Sequence, residues 1–340
     1  MSFSRSGVIH DSFSFVFTLK REGMTSSQQG SFTSRTAGTH SWEGLLNLFV
    51  VYLVWGSTYL AIRVTVREGS GFPPFLMAAG RTIIGGLILL IWAKTRGEQL
   101  KLVRKDALLL FATGAMLWIG GNGLVNWAEQ RIPSALTALF LASTPLWVAA
   151  LESVIERRVP SLLLIGSLLI GFCGTGLLCY PVLSSGVRTD ILSIVALFFA
   201  SLSWGSGSLL QRHHGLHLSA RVTAGYQQIF AMPGFLLLSY LTGEPRPLPQ
   251  ATAWLAFAYL VVFGSVIAIA SFTRALQILP TKVLFTYSYV NPMIALLLGW
   301  IILSEPITHW TLFGAFLIIA GVAGVFKDSQ KIPQPVINDE

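Results

Sequence analysis

From residue 43 onward the chain is a succession of long apolar runs separated by short polar breaks. Ten are legible: 43–66, 73–93, 106–126, 133–155, 160–182, 190–211, 219–242, 250–273, 281–303 and 308–326. Each comes close to the ~20 residues a helix needs to cross about 30 Å of hydrocarbon. Barrel strands are about ten residues long and alternate, so they do not fit these runs. Inside lipid a helix satisfies its own backbone N–H and C=O groups. The sequence therefore predicts an all-α polytopic membrane protein with ten transmembrane helices. Pro73–Pro74, Pro133, Pro160 and Pro280 fall at starts or breaks of these runs, where a missing N–H costs little.

Charge supports lipid as the solvent. Only 11% of residues are charged, against roughly a quarter in soluble domains. The net charge of +8 does not indicate nucleic acid, because the basic residues recur between the apolar runs instead of gathering in one patch or tail. With both termini placed in the cytoplasm, seventeen Lys and Arg fall on the inner side and five on the outer, with Arg81 inside a helix. That bias sets the expected orientation. The expected location is a cell membrane, the inner membrane of a bacterium.

Residues 1–42 read as a disordered tail rich in Ser, Thr and Phe. The apolar stretch "SFSFVFTL" (12–19) is too short to span and lacks a clear cleavage site. A translation start at Met24 is the alternative, which a peptide from residues 1–23 would refute. Residues 327–340 read as a cytoplasmic tail.

The chain repeats itself. "WGSTYLAIR" (55–63) returns as "WGSGSLLQR" (204–212), 149 residues later. "AEQRIPSALTALFLASTPLWVAAL" (128–151) aligns with "ALQILPTKVLFTYSYVNPMIALLL" (275–298) at 147, keeping Ala128/Ala275, Gln130/Gln277, Pro133/Pro280 and Pro145/Pro292. Gly166/Gly314 and Gly176/Gly324 match at 148. The expected units are 43–182 and 190–326, each of five helices. An odd unit makes its copy enter the membrane from the other side, giving two inverted repeats that can expose one central site alternately.

Together "WGSTYLAIR", "PPFLMAAGRTIIGG", "GNGLVNWAEQRIPSALTAL", "TPLWVAALE" and "YVNPMIALLLGWIILSEPIT" resemble the EamA family of the drug/metabolite transporter superfamily. The resemblance covers residues 43–326. It implies a central cavity built from the first four helices of each half, with the fifth and tenth peripheral. It also implies export or exchange of small metabolites without nucleotide hydrolysis. One departure is that Glu305 of "SEP" has Arg158 at its matching place, with Glu156 two residues earlier.

Polar residues inside the runs are the candidates for function. Arg81 lies about 12 Å into the second helix at 1.5 Å per residue. A charge near the bilayer centre costs about 2.5–3.5 kcal/mol or more, so it should face the interior and find a partner. It either binds an anionic group of the substrate or pairs with a fixed group such as Glu152. Trp55, Tyr59 and Arg63 share one stripe of the first helix. Asn122, Asn126 and Glu129 share one on the third. Trp204, Gln227, Tyr287 and Asn291 complete the cavity-lining candidates, and Glu129 and Glu152 are the carboxylates available for proton coupling. Gly56 and Ser57 suit close helix approach, as do Ser167-x3-Gly171, Gly314 and Gly321. The last three also suit pairing with a second copy of the chain, a homodimer. The histidines of "RHHGLH" (212–217) lack the i, i+4 spacing of a helical zinc pair and read as a solvated loop.

These features predict a secondary transporter that moves a small molecule, such as an amino acid or organic anion, across the bilayer by alternating access. No cofactor, metal or nucleic-acid partner is implied. A channel or sensor on the same fold is the alternative. A membrane-embedded enzyme is weakly supported, because Asp106 and Asp190 sit at run ends and no His falls within the first nine runs.

Overall fold

A computed structural model describes residues 42–67, 69–132, 134–184, 190–303 and 308–330. The tail through residue 41, Met24, Pro133, Arg188, Glu305 and residues 331–340 lie outside the described residues.

The regular structure among the described residues is helical. It comprises α1 (Trp42–Val66), α2 (Pro74–Thr95), α3 (Arg104–Ala128), α4 (Ser134–Leu141), α5 (Thr144–Glu156) and α6 (Leu162–Leu178), followed by a five-residue helix at Tyr180–Ser184. The second half holds α7 (Ile191–His214), α8 (Ala220–Leu241), α9 (Ala251–Ile278), α10 (Thr281–Leu284), α11 (Tyr287–Leu303) and α12 (His309–Ser329). Among the described residues, seven helical stretches are long and apolar enough to cross a membrane: α1, α2, α3, Leu136–Glu156, α7, α9 and α12. Large apolar side chains such as Leu46, Ile91, Leu108, Phe313, Phe316 and Ile319 remain exposed, as a hydrocarbon solvent requires.

Local chemistry sets the helix ends. Pro74 opens α2, its absent N–H falling where no helical partner exists. Ser161, Asp190 and Ser219 cap α6, α7 and α8 by accepting from backbone N–H groups of the first turn. Gly97, Gly215 and Gly243 end helices at positive φ, a conformation only glycine adopts cheaply. The ends differ from the sequence reading in three places. His213 and His214 belong to the last turn of α7 and not to a loop. The last helix runs on to Ser329, and α9 to Ile278. The fourth and ninth runs are each broken, at 142–143 and at 285–286. Pro145 follows the first break, but Pro292 sits inside α11, well beyond the second. The proline alone therefore does not place the bend.

The duplicated signature has a separable role for each residue. Gly56 faces Ile294 of α11, where an added Cβ would meet its side chain at 2.6 Å. Gly205 faces Val148 of α5 at 2.9 Å by the same measure. Each glycine thus lets the first helix of its half approach a helix of the other half. The two arginines act within their own halves. Arg63 donates to the carbonyls of Glu129 and Ile132, and Arg212 donates to those of Leu276 and Leu279. Both guanidinium groups satisfy carbonyls at the C-terminal end of the third helix of the half, where a cation is favoured. Removing either leaves those acceptors short of a donor. Arg63→Gln and Arg212→Gln should each cost about 1–3 kcal/mol, read as a lower melting temperature in detergent.

α6 and α12 pack with almost no side chain between them. A Cβ on Gly321 would lie 2.7 Å from the Gly171 nitrogen, and one on Gly314 would lie 2.7 Å from the Gly174 oxygen. Ser161 at the start of α6 donates to Asp328 at the end of α12, and Lys282 donates to the same carboxylate at 2.6 Å. The two helices therefore run antiparallel. The small-residue faces that suited a homodimer are occupied within the chain.

Candidate functional site

A cavity of about 80 Å³ lies among the helices. α1 lines it with Trp55, Thr58, Tyr59 and Ile62, and α2 with Arg81. α3 contributes Trp118, Gly121, Asn122 and Val125, and the fourth run contributes Leu141 and Thr144. Ala200 and Trp204 come from α7, Gly264 and Ile269 from α9, and Tyr287 and Ser288 from α11. No lining residue comes from α6 or α12, so the fifth and tenth runs are peripheral to it, as the family resemblance implied, but neither does any come from α8, which the same resemblance placed in the wall.

The two signature tryptophans meet here. Their ring centroids are 5.3 Å apart in an edge-on arrangement, and Trp55 also touches Phe272 and Tyr287, each at 5.1 Å. The two stand in contact at the cavity and not in separate interfacial belts. One side of the cavity is therefore aromatic, built from both halves.

Arg81 supplies the charge. It is only 3% exposed. Its Nε donates to Ser265 Oγ at 2.6 Å, its Nη1 reaches Asn122 Oδ1 at 3.4 Å, and its guanidinium carbon lies 5.6 Å from the Trp118 ring centroid. Among the described residues no carboxylate stands within ion-pair distance of it. Glu152 is not its partner. It lines a separate small cavity with Lys282 and Phe285. The guanidinium is held by neutral groups, and the buried Glu129 acts on its charge from beyond ion-pair distance.

Backbone geometry explains how Arg81 is met from two sides. α3 widens into π-helical turns over Ala115–Gly123, and α9 does the same over Leu260–Ala268. Such turns are frequent at functional sites because they re-aim side chains. The first carries Trp118 and Asn122 to Arg81, and the second carries Ser265. The sequence reading missed Trp118 and Ser265. Trp118 was within reach, since it precedes Asn122 by one turn on the stripe already identified. Ser265 sits alone in an apolar run, and only the wide turn brings its hydroxyl inward.

Other candidates fall outside the lining. Asn126 is fully buried and donates to Asn122 Oδ1 at 3.2 Å, so it sits behind the wall. Gln227 donates to Thr113 and Gln211, each at 2.8 Å, and α8 contributes nothing to the cavity. Asn291 is buried, with its backbone carbonyl beside Gly56. Glu129 is also fully buried, and neither carboxyl oxygen has a hydrogen-bond partner among the described residues. The charges acting on it are those of Arg63 and Arg81.

Comparison with known proteins matches this architecture. The profile of the EamA-like transporter family matches residues 42–180 and again residues 191–327. A protein of Escherichia coli (strain K12) named "Uncharacterized inner membrane transporter YedA" is 30% identical over 304 residues, covering 86% of this chain and 95% of that protein. "Uncharacterized transporter YoaV" of Bacillus subtilis (strain 168) is 20% identical over 284 residues, covering 82% and 94%. A solved crystal structure superposes with a TM-score of 0.70 at 20% identity, covering 85% of this chain and 99% of that one. This is a multi-pass membrane protein, and the double match over nearly all of its helical part makes it a member of the EamA-like transporter family.

Proposed function

We propose that this chain is a secondary carrier that exchanges or exports a small anionic or zwitterionic metabolite, such as an amino acid or organic anion, through the cavity at Arg81. The observation that carries this reading is a buried guanidinium that lines the cavity, is oriented by Ser265 and Asn122, and has no carboxylate paired to it. Burying such a charge is costly, and a bound anion would offset that cost. The wall of Trp55, Trp204 and Tyr287 suits an apolar body attached to the anion.

The reading includes ten spans arranged as two inverted repeats, in a bacterial inner membrane, with both termini in the cytoplasm. The antiparallel meeting of α6 with α12 supports the inversion, since an odd-numbered unit imposes that relation on its copy. Alternating access follows from two similar halves meeting around one site.

Counterflow in proteoliposomes tests the carrier reading. Labelled amino acids and organic anions are offered outside, with the unlabelled solute inside. Saturable, trans-stimulated uptake is expected for one class of anion. Unitary currents without saturation would instead make the protein a channel.

Proton coupling is assigned to Glu129 ahead of Glu152, because Glu129 is the fully buried one and feels the charge of Arg81. Glu129→Gln should abolish the acceleration of uptake by an imposed pH gradient while leaving counterflow at fixed pH. Glu152→Gln should change neither. Equal pH-driven uptake in both variants and wild type would remove Glu129 from the cycle.

A further inference from the structure

The second helix of each half ends in the same two residues. Gly97-Glu98 follows α2, and Gly243-Glu244 follows α8, 146 residues later. Both glycines have positive φ, 73° and 63°. In both turns the glutamate N–H reaches back to a helix carbonyl at 3.0 Å, Glu98 to Ala93 and Glu244 to Ser239. The same turn therefore aims two carboxylates, and each points at the start of the other helix.

Glu244 accepts from the backbone N–H groups of Phe75 at 2.8 Å and Leu76 at 2.9 Å. Those are first-turn amides of α2, a helix whose own N-cap, Pro73, offers no side-chain acceptor. A carboxylate there satisfies two orphan donors and the positive end of the helix dipole. At the opposite end Glu98 accepts from Arg221 Nε at 2.9 Å, from Arg221 Nη2, and from the hydroxyl of Ser219, the N-cap of α8. Burial pushes the Glu98 carboxyl up, but these hydrogen bonds outweigh it and hold it below the usual carboxylate range.

Neither end depends on one contact. Beyond Glu244, Leu248 N–H donates to the Gly71 carbonyl at 2.9 Å and Gln250 N–H to that of Ser70 at 3.1 Å. Beside Glu98, Tyr226 donates to the Leu100 carbonyl at 2.8 Å, and the Arg221 guanidinium lies 5.0 Å from the Trp92 ring centroid. Between the ends the helices touch backbone to backbone, a Cβ on Gly86 lying 2.9 Å from the Gly225 oxygen. The C-terminus of each helix meets the N-terminus of the other, so the pair is antiparallel.

We propose that α2 and α8 form a spine that stays closed at both of its ends throughout the transport cycle, with Glu98 and Glu244 as its positioning residues. This rests on the carrier reading and narrows it. Two halves that rocked as whole bodies would part α2 from α8 at one face in each state. A spine clamped at both ends forbids that. Arg81, carried on α2, then stays fixed, and access alternates by movement of the helices around it.

The test joins the ends covalently. Cys173 and Cys179 are first replaced by Ala. One pair of cysteines, Glu98→Cys with Arg221→Cys, is placed at one end. A second pair, Glu244→Cys with Phe75→Cys, is placed at the other. Each is bridged by a short bifunctional thiol reagent, and the bridge is scored by mass spectrometry with and without transported solute. Bridging both ends together should proceed equally in either condition and leave exchange no more than roughly twofold slower than in the same four-cysteine chain before bridging. Loss of exchange on bridging either end, restored by a cleavable version of the reagent, would overturn the spine. So would bridging at one end that solute suppresses. Without a bridge, Glu98→Gln and Glu244→Gln should each slow maximal exchange only about twofold, since other contacts hold each end, and the charge swap Glu98→Arg with Arg221→Glu should recover the loss at the Glu98 end. The unmodified chain is assayed alongside. If it exchanges nothing, the carrier reading fails, while the bridging yields at the two ends still decide whether α2 and α8 stay together.

Discussion

Proteoliposomes carrying Arg81→Gln will exchange anionic solutes about 100-fold more slowly than wild type while holding the same fold. Truncating a hydrogen-bonded charge that pairs with a bound group typically costs about 2–5 kcal/mol, and each 1.4 kcal/mol is roughly tenfold in affinity. Folding should survive, because the substitution removes a buried charge with no paired carboxylate among the described residues. The neutral side chain can still reach the Ser265 side. Arg81→Lys is the informative companion. It keeps the charge but loses the fork that contacts Ser265 and Asn122 together, so an intermediate loss is expected. The observables are half-saturation and maximal rate in counterflow, with melting temperature as the check on folding. Equal exchange by Arg81→Gln would make Arg81 a structural cation and move the site to the aromatic wall.

The largest effect on stability is expected at the crossing of α6 and α12. Gly174→Leu, Gly314→Leu and Gly321→Leu each place a Cβ within 2.9 Å of backbone atoms of the facing helix. Backbone cannot rotate away as a side chain can, so the helices must separate along the whole contact. Overpacking a core costs about 1–3 kcal/mol even when side chains can yield. A drop in melting temperature of about 5 °C or more, or loss of a monodisperse peak in detergent, is therefore expected. Gly166 and Gly176 are the internal controls. Nothing lies within 4 Å of a Cβ built at either position, and Gly166→Ala and Gly176→Ala should be neutral or stabilising by up to about 1 kcal/mol. Destabilisation at all five glycines alike would mean the crossing is not what holds these helices.

The controls also show where sequence reading reaches its limit. Gly166 aligns with Gly314, yet one faces open space and the other faces backbone. Alignment of the two halves finds equivalent positions, but it does not say which of two equivalent glycines is pressed against a neighbour. The apolar runs were legible because their length is set by the solvent. Helix ends were less so, because His213, His214 and the residues to Ser329 continue a helix with polar side chains that pattern alone assigns to a loop or tail. Among the candidate site residues, Trp55, Tyr59, Arg81, Asn122, Trp204 and Tyr287 were singled out from their depth and stripe, and these line the cavity. Asn126, Gln227 and Asn291 followed the same logic but serve the wall behind it. A polar side chain inside an apolar helix must find a partner. Periodicity cannot say whether that partner is another helix or a ligand. Ser265 needed the π-helical turn of α9, which no periodicity announces.

The arginines of the duplicated signature make the same point from the other side. A repeat that keeps Arg63 and Arg212 at one register suggests a shared duty. The carbonyls of Glu129, Ile132, Leu276 and Leu279 identify it as closure of a helix end in each half. Arg81 has no such fixed acceptor at a helix end and no paired carboxylate. That contrast sets Arg63 and Arg212, which close helix ends, apart from Arg81, which faces a cavity.

The most direct measurement is equilibrium binding in detergent of a labelled organic anion to purified wild-type protein and to Arg81→Gln, at one pH and low ionic strength. One saturable site per chain is expected in wild type, displaced by other anions and not by amines, and absent from the variant. Equal binding by both proteins would contradict the assignment of the anion site to Arg81.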